Sequence, residues 1–194
     1  MLFIFDMGGV CITSASLEEQ ISASLNISVE QAKEYAVDDK GRDMMQLLSD
    51  GVITVEHYWK EFSKKLGRPI TADYWRLALR PNRIPEVYEI IGKLIKNKHR
   101  VVCGTNTISS HYDCHLARND YGIFDMTYAS HQMGVSKPDP RFWQLILKFE
   151  KTEAQDTFFI DDRQENVEAA AKLGIQTHRF TTASNLEDAL KNWL

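Results

Sequence analysis

The chain has 194 residues, 43% hydrophobic and 26% charged, enough for one medium domain with a sizeable core. Its net charge of −4 and pI of about 5.9 give no electrostatic footprint for nucleic acid. No run is long enough to span a bilayer, and the apolar start lacks a basic leader region. The three cysteines, Cys11, Cys103 and Cys114, form no CxxC pair, so neither a disulfide framework nor a cysteine-rich zinc site is indicated, and a reducing cytoplasm is the simplest setting.

Residues 2–6 are a short apolar run, the pattern of a buried parallel strand. Residues from about 14 to 83 read as helical, with no strand among them. Ser16 with Glu19 and Ser28 with Gln31 fit the capping box, Thr54 is placed to cap VEHYWKEFSKKLG, and Thr71 to cap ADYWRLAL. After residue 84 helix and strand alternate. Pro85 opens a helix with Val87, Ile90, Ile91, Leu94 and Ile95 at helical spacing, and VVCG (101–104) follows as a strand. FDMTYAS (124–130) is another strand, and Asp139-Pro140 starts a helix with Phe142, Leu145, Ile146 and Phe149 along one face. DTFFI (156–160) is a strand, ENVEAAAKL a helix closed by Gly174, and IQTHRF a last strand.

One strand followed by repeated helix–strand units predicts an α/β fold, a doubly wound parallel sheet. The helical block makes an inserted all-helical cap, so that residues 1–13 and 84–194 form the core and 14–83 the cap. Ligands of such sheets bind beyond the carboxyl ends of the strands. Those ends carry Asp6, Thr105-Asn106, the loop GVSKPDP with Lys137, and Asp161-Asp162.

This set suits phosphoryl transfer. A carboxylate can attack phosphorus and form an aspartyl phosphate. Clustered carboxylates need a cation, and all-oxygen ligands select Mg²⁺. The metal and a lysine neutralise charge on the phosphoryl oxygens, and a threonine hydroxyl orients them.

The segments FIFDMGGV, VVCGTN, GVSKPDPRFW and FFIDDRQENVEAA, in this order from Phe3 to Ala170, resemble the four motifs of the haloacid dehalogenase-like (HAD) hydrolase superfamily. The opening loop is similar to that of a helical-cap subgroup that includes bacterial sugar-phosphate phosphatases. The resemblance implies Asp6 as nucleophile, with Mg²⁺ held by Asp6, the Gly8 carbonyl and Asp162. It implies that Asp161 holds Lys137 or a metal-bound water and that Asn166 is a further metal-shell position. Thr105, Asn106 and Lys137 match the phosphoryl-binding positions.

One departure stands out. Most phosphatases of this kind carry Asp-x-Asp, and the second carboxylate acts as general acid and base; here that position is Gly8. Losing such a group typically costs about 10²–10⁴ in rate. The metal contact at position 8 uses the main chain and survives the change. His111, after the Thr105-Asn106 loop, is the candidate substitute donor. The alternatives are a phosphate-binding or regulatory domain with little turnover, or a dehalogenase- or phosphonatase-type hydrolase. A metal-free dehalogenase site gains nothing from Asp161-Asp162, and the cap lysines Lys33, Lys40, Lys60, Lys64 and Lys65 form no recognisable motif.

The small helical insertion suits a lid over a small phosphorylated metabolite. Arg42, Asp43 and Arg80 are its candidate contacts with a sugar or carboxylate, whereas Met44, Met45, Leu47, Leu48, Tyr58, Trp59, Phe62, Tyr74 and Trp75 read as core. His111, Cys114 and His115 share a helix spacing that could face zinc but lack a fourth ligand. Cys11 reads as a small apolar residue.

Overall fold

The computed structural model describes all 194 residues. β1 (Leu2–Phe5) leads through a loop to β2 (Ile12–Thr13). Five helices follow: α1 (Leu17–Leu25), α2 (Val29–Tyr35), α3 (Met44–Ser49), α4 (Val55–Leu66) and α5 (Tyr74–Ala78). Then come β3 (Asn82–Arg83), α6 (Pro85–Lys96), β4 (Arg100–Thr105), α7 (Ser109–Ala117) and β5 (Met126–Ala129). The chain finishes with α8 (Ser130–Met133), α9 (Arg141–Glu150), β6 (Thr157–Asp161), α10 (Gln164–Ala171), β7 (Gln176–Arg179) and α11 (Ala183–Leu190).

The main sheet has the order β5-β4-β1-β6-β7, and every neighbour is parallel. β1 is central, and its alternation shows both faces covered. Phe3 and Phe5 belong to the apolar cluster containing Val87, Ile91 and Leu94 of α6, while Leu2 and Ile4 belong to the cluster of Phe142, Trp143 and Ile146 of α9. All four β1 side chains are buried. A strand buried on both faces must be apolar throughout, which is why LFIF carries no polar residue until Asp6.

Helices α1–α5 have an apolar cluster of their own, built from Ile21, Leu25, Met44, Leu48, Tyr58, Trp59, Phe62 and Trp75, and Ile108 before α7 packs into it. Ser28 makes both bonds of its capping box with Gln31, and Thr54 accepts from the His57 N–H at 3.2 Å. Ser16 makes the forward half of its box, a long bond of 3.4 Å.

Three local expectations change. Asp73, not Thr71, caps α5: its carboxylate accepts from the N–H groups of Trp75 and Arg76, and a charged acceptor complements the helix dipole better than a hydroxyl. The block expected to lack strands ends in Asn82–Arg83, which pairs antiparallel with Ile12–Thr13. Two residues per strand are too few for a sequence pattern, and the pairing joins the entry and exit of the helical block. Finally, α11 follows the strand read as the last, burying Leu186 and Leu190 against the α6 face of the sheet.

The contact between α3 and the sheet side is polar. Ser49 Oγ lies 3.1 Å from Ser130 Oγ and 2.9 Å from Ser136 Oγ, and Ser136 in turn donates to Asp50. At the end of α3, Gly51 has φ +66°, and a Cβ there would lie 2.1 Å from the His131 carbonyl oxygen. Only glycine fits that approach.

Candidate functional site

Register brings the carboxylates together. Phe5 is level with Ile160 of β6, and the Asp6 N–H donates to the Ile160 carbonyl at 2.9 Å, so Asp6 emerges beside Asp161. Phe5 is also level with Cys103 of β4, which places Gly104 and Thr105 on the other flank.

Lys137 reaches this point from the loop after α8. Its Nζ lies 2.8 Å from Asp6 Oδ1, 2.7 Å from Asp161 Oδ2 and 2.8 Å from the Gly104 carbonyl, so all three ammonium donors are engaged. The rings of Phe142 and Phe159 lie within cation–π range, at 5.8 and 5.4 Å. Burial alone would lower the Lys137 pKa; Asp6 and Asp161 outweigh it and the net shift is upward. Burial pushes Asp6 up to about 6; Lys137 opposes that and Asp161 adds to it.

The three acids differ in what they have left to offer. Asp161 is fully buried, and both its oxygens are taken: Oδ1 by the Arg163 N–H and Asn166 Nδ2, Oδ2 by Lys137 and Asn166 Nδ2. Asn166 therefore steadies Asp161. No side chain donates to the Asp162 carboxylate, whose pKa burial raises, with Asp161 adding to the rise. It occupies the space above Gly9, where a Cβ would stand 2.4 Å from Oδ2. The Gly8 carbonyl accepts none of the backbone bonds that shape the loop.

Carboxylate oxygens of Asp6, Asp161 and Asp162 lie within 4.8 Å of one another, against the single charge of Lys137. The donors are all oxygen and carry excess negative charge, which fits a hard divalent cation. Asp6, Asp162 and the Gly8 carbonyl have free oxygens for it; Asp161 and Asn166 are committed to each other.

Thr105 is buried, and its hydroxyl makes only a 3.4 Å contact with the Asn106 carbonyl, which leaves it available. Asn106 has a role beyond the expected phosphoryl contact: its Oδ1 accepts from the Lys137 N–H and its Nδ2 donates to the Lys137 carbonyl, both at 2.8 Å. These two bonds hold the lysine loop and leave the second Nδ2–H of this exposed side chain for a phosphoryl oxygen.

His111 is not brought to Asp6. It lies against Trp75 of α5 with ring centroids 6.1 Å apart, its Nε2 has no partner, and burial lowers its pKa to about 4. A neutral imidazole facing the helical layer is a correction to the donor proposed from sequence. Arg42 is paired with Asp38 at 2.8 Å, Asp43 caps α3, and Arg80 lies beside α7. His115 gives its Nδ1 to Asp120 at 2.8 Å, and the His111, Cys114 and His115 set is not among the clusters whose donor atoms converge. Cys11 is buried in the sheet core, as a small apolar residue would be.

Sequence reasoning missed the serines around the lysine loop. Ser130 accepts from the Thr107 N–H at 2.9 Å and donates to its carbonyl at 3.1 Å, and Ser49 joins Ser130 to Ser136, the residue before Lys137. Nothing in the local sequence announces this chain of hydroxyls, although Ser136 stands inside the segment GVSKPDPRFW.

Comparison with known proteins agrees with the geometry. The haloacid dehalogenase-like hydrolase profile matches residues 1–174. A D-ribitol-5-phosphate phosphatase of Bacteroides thetaiotaomicron is 24% identical over 186 residues, covering 90% of this chain and 88% of the relative. The sesquiterpene phosphatase astK of Aspergillus oryzae is 27% identical over 181 residues, with coverages of 89% and 85%. Two other curated relatives are far longer, and this chain spans only 14% and 13% of them. Among solved structures, a HAD-family enzyme of Bacteroides thetaiotaomicron in complex with magnesium and inorganic phosphate superposes with a TM-score of 0.79 at 22% identity, covering 95% of this chain and 98% of that one. No helix is long and apolar enough to cross a membrane. A parallel sheet whose strand ends gather these acids around one lysine, matched over nine-tenths of its length, makes the chain a member of the haloacid dehalogenase-like hydrolase family.

Proposed function

We propose that the chain is a Mg²⁺-dependent phosphatase of a small phosphorylated metabolite, a sugar phosphate. The observation that carries this reading is Asp6, poised between Lys137 and the free carboxylate of Asp162. The phosphatase relatives support it, and the magnesium and phosphate held by the solved HAD-family enzyme support the cofactor.

In this reading Asp6 attacks the phosphoryl group and water then hydrolyses the aspartyl phosphate. Lys137 holds Asp6 ionised and, once a phosphoryl oxygen arrives, exchanges a protein bond for it. The Thr105 hydroxyl orients a second oxygen. Bound Mg²⁺ would be held by Asp6, Asp162 and the Gly8 carbonyl, and would supply charge neutralisation. Residues 14–83 act as the lid that excludes water and selects the substrate. Without a carboxylate at position 8, the leaving oxygen must depart largely unaided, which favours substrates with good leaving groups, such as anomeric sugar phosphates or acyl phosphates.

The second reading, a phosphate-binding domain with little turnover, is favoured by Gly8 alone. Phosphate release from sugar, acyl and nucleotide phosphates, with Mg²⁺ and with EDTA, tests both readings on wild type beside Asp6→Asn. Metal-dependent release that vanishes in the variant supports the phosphatase. Absence of release from every compound, with Mg²⁺ still raising Tm, supports the binding domain.

A further inference from the structure

A second cleft lies on the flank of α7. Arg76, Leu77 and Arg80, from α5 and the turn after it, face Cys114, Ala117 and Arg118 across about 580 Å³. That volume falls in the range of roughly 300–1,000 Å³ typical of small-molecule sites. α7 has nine residues, about 13 Å at ~1.5 Å per residue, so the cleft sits at the end of this helix remote from Thr105.

Its charge is not balanced. Arg83 and Arg118 share the carboxylate of Asp120, at 2.7 and 3.0 Å, and that acid is fully buried. Arg76 and Arg80 have no carboxylate within ion-pair distance; Arg80 donates to the Leu79 carbonyl at 2.9 Å. Arg118 uses Nε on Asp120 and Nη2 on the Pro81 carbonyl, which leaves Nη1. Burial raises the Cys114 pKa while Arg76 and Arg80 pull it down, so both guanidiniums act on the thiol's side of the cleft. Asp73 and Asp113 also act on that thiol, yet neither pairs with Arg76 or Arg80. In a chain of net charge −4 this is a local cationic surplus. Beside it Leu77 is 53% exposed, on a wall backed by the buried Leu79 and Pro81.

We propose that this cleft binds a small amphiphilic anion, a phosphorylated or carboxylated head on a short hydrocarbon tail. Arg76, Arg80 and Nη1 of Arg118 take the head by charge-assisted hydrogen bonds, and the exposed Leu77 takes the tail. The site goes beyond the phosphatase reading and does not depend on it. The residues come from the exit of the helical block on one side and from α7 on the other, with Arg118 already fastened to Pro81. An occupant therefore touches the helical block and the sheet side at once.

Cys114 reports occupancy locally, because Cys11 and Cys103 are fully buried and Cys114 is part-exposed. Its alkylation by iodoacetamide is followed with octylphosphonate, octanoate, inorganic phosphate or octyltrimethylammonium present. For wild type, one of the two amphiphilic anions should slow alkylation about tenfold at a concentration about ten times its Kd. The head that protects better identifies the class. Inorganic phosphate should protect only at higher concentration, and the cation not at all. In the double variant Arg76→Gln/Arg80→Gln, circular dichroism should stay as in wild type and unprotected alkylation should slow, because the two guanidiniums no longer lower the Cys114 pKa; the ratio of rates with and without anion should then be one, so protection vanishes. Equal protection by the cation, unchanged protection in the double variant, or no protection by either anion would each overturn the proposal.

Discussion

Asn106 and Lys137 close a two-bond ring: the carboxamide accepts from the lysine N–H and donates to the lysine carbonyl, each at 2.8 Å. The amide thus sets where the lysine chain starts, and Nζ arrives between Asp6 and Asp161. Asn106→Ala should lower kcat about 10–100-fold, the cost of a misplaced catalytic charge. Asn106→Asp should be worse than Ala, because a carboxylate cannot donate to the Lys137 carbonyl and repels it. A KM rise with unchanged kcat in both variants would instead make Asn106 a plain substrate contact.

Gly8 and Gly9 should respond in opposite ways. A Cβ on Gly8 meets nothing within 4 Å, so Gly8→Asp starts without a clash at Cβ and is the variant that restores a carboxylate at this position. If proton transfer limits turnover, phosphate release from poor leaving groups should rise by up to about 10²–10⁴. Gly9 has φ +77° and its Cβ would collide with Asp162, so Gly9→Ala should abolish activity and Mg²⁺-dependent stabilisation together. Steady-state kinetics and thermal shift on the two variants check both statements.

The acid limb of the rate profile should belong to Asp6. Its carboxyl stands at about 6, and a nucleophile must be ionised, so kcat/KM should fall about tenfold per pH unit below that point. Mg²⁺ favours the ionised form, so raising Mg²⁺ should move the limb to lower pH. A limb that stays put from low to saturating Mg²⁺ would place the cation away from Asp6.

His111 should matter to acid stability and not to turnover at neutral pH. Its pKa of about 4 lies below the ordinary 6.5, so its neutral form is favoured by the fold. That contribution is complete above pH 6.5 and is lost as pH falls towards 4, where it costs roughly 3 kcal/mol. Urea unfolding at pH 7 and near pH 4 should show His111→Phe losing less stability on acidification than wild type. Activity at pH 7 should stay within about threefold; a loss of 10² or more would return His111 to the reaction.

The frame of the site was legible because its acids and its threonine stand at the ends of buried, largely apolar strands, with Lys137 added by the loop after α8. Asp6, Thr105 and Asp161-Asp162 mark where such runs stop, and parallel register does the rest. The division of labour among the acids was not legible, since Asp161 and Asp162 are neighbours in sequence and differ only in which partners reach them. Likewise Ser49 meets Ser130 across 81 residues, and His111 is set by Trp75, on a different helix. Periodicity and spacing describe one element at a time. They carry no information about contacts that only the packing of two elements creates.

The seam between α3 and the lysine loop is made of three hydroxyls, one carboxylate and a glycine. Each such bond contributes about 0.5–1.5 kcal/mol net, because water can take either partner's place. When this join parts, solvent heals both surfaces at once. An apolar join of the same size would resist wetting and, once open, would stick to whatever greasy surface it met. On the reading of residues 14–83 as a lid, this hydroxyl seam would part at low cost, and resistance to opening would fall on the apolar contacts that Ile108 and His111 make with the helical block.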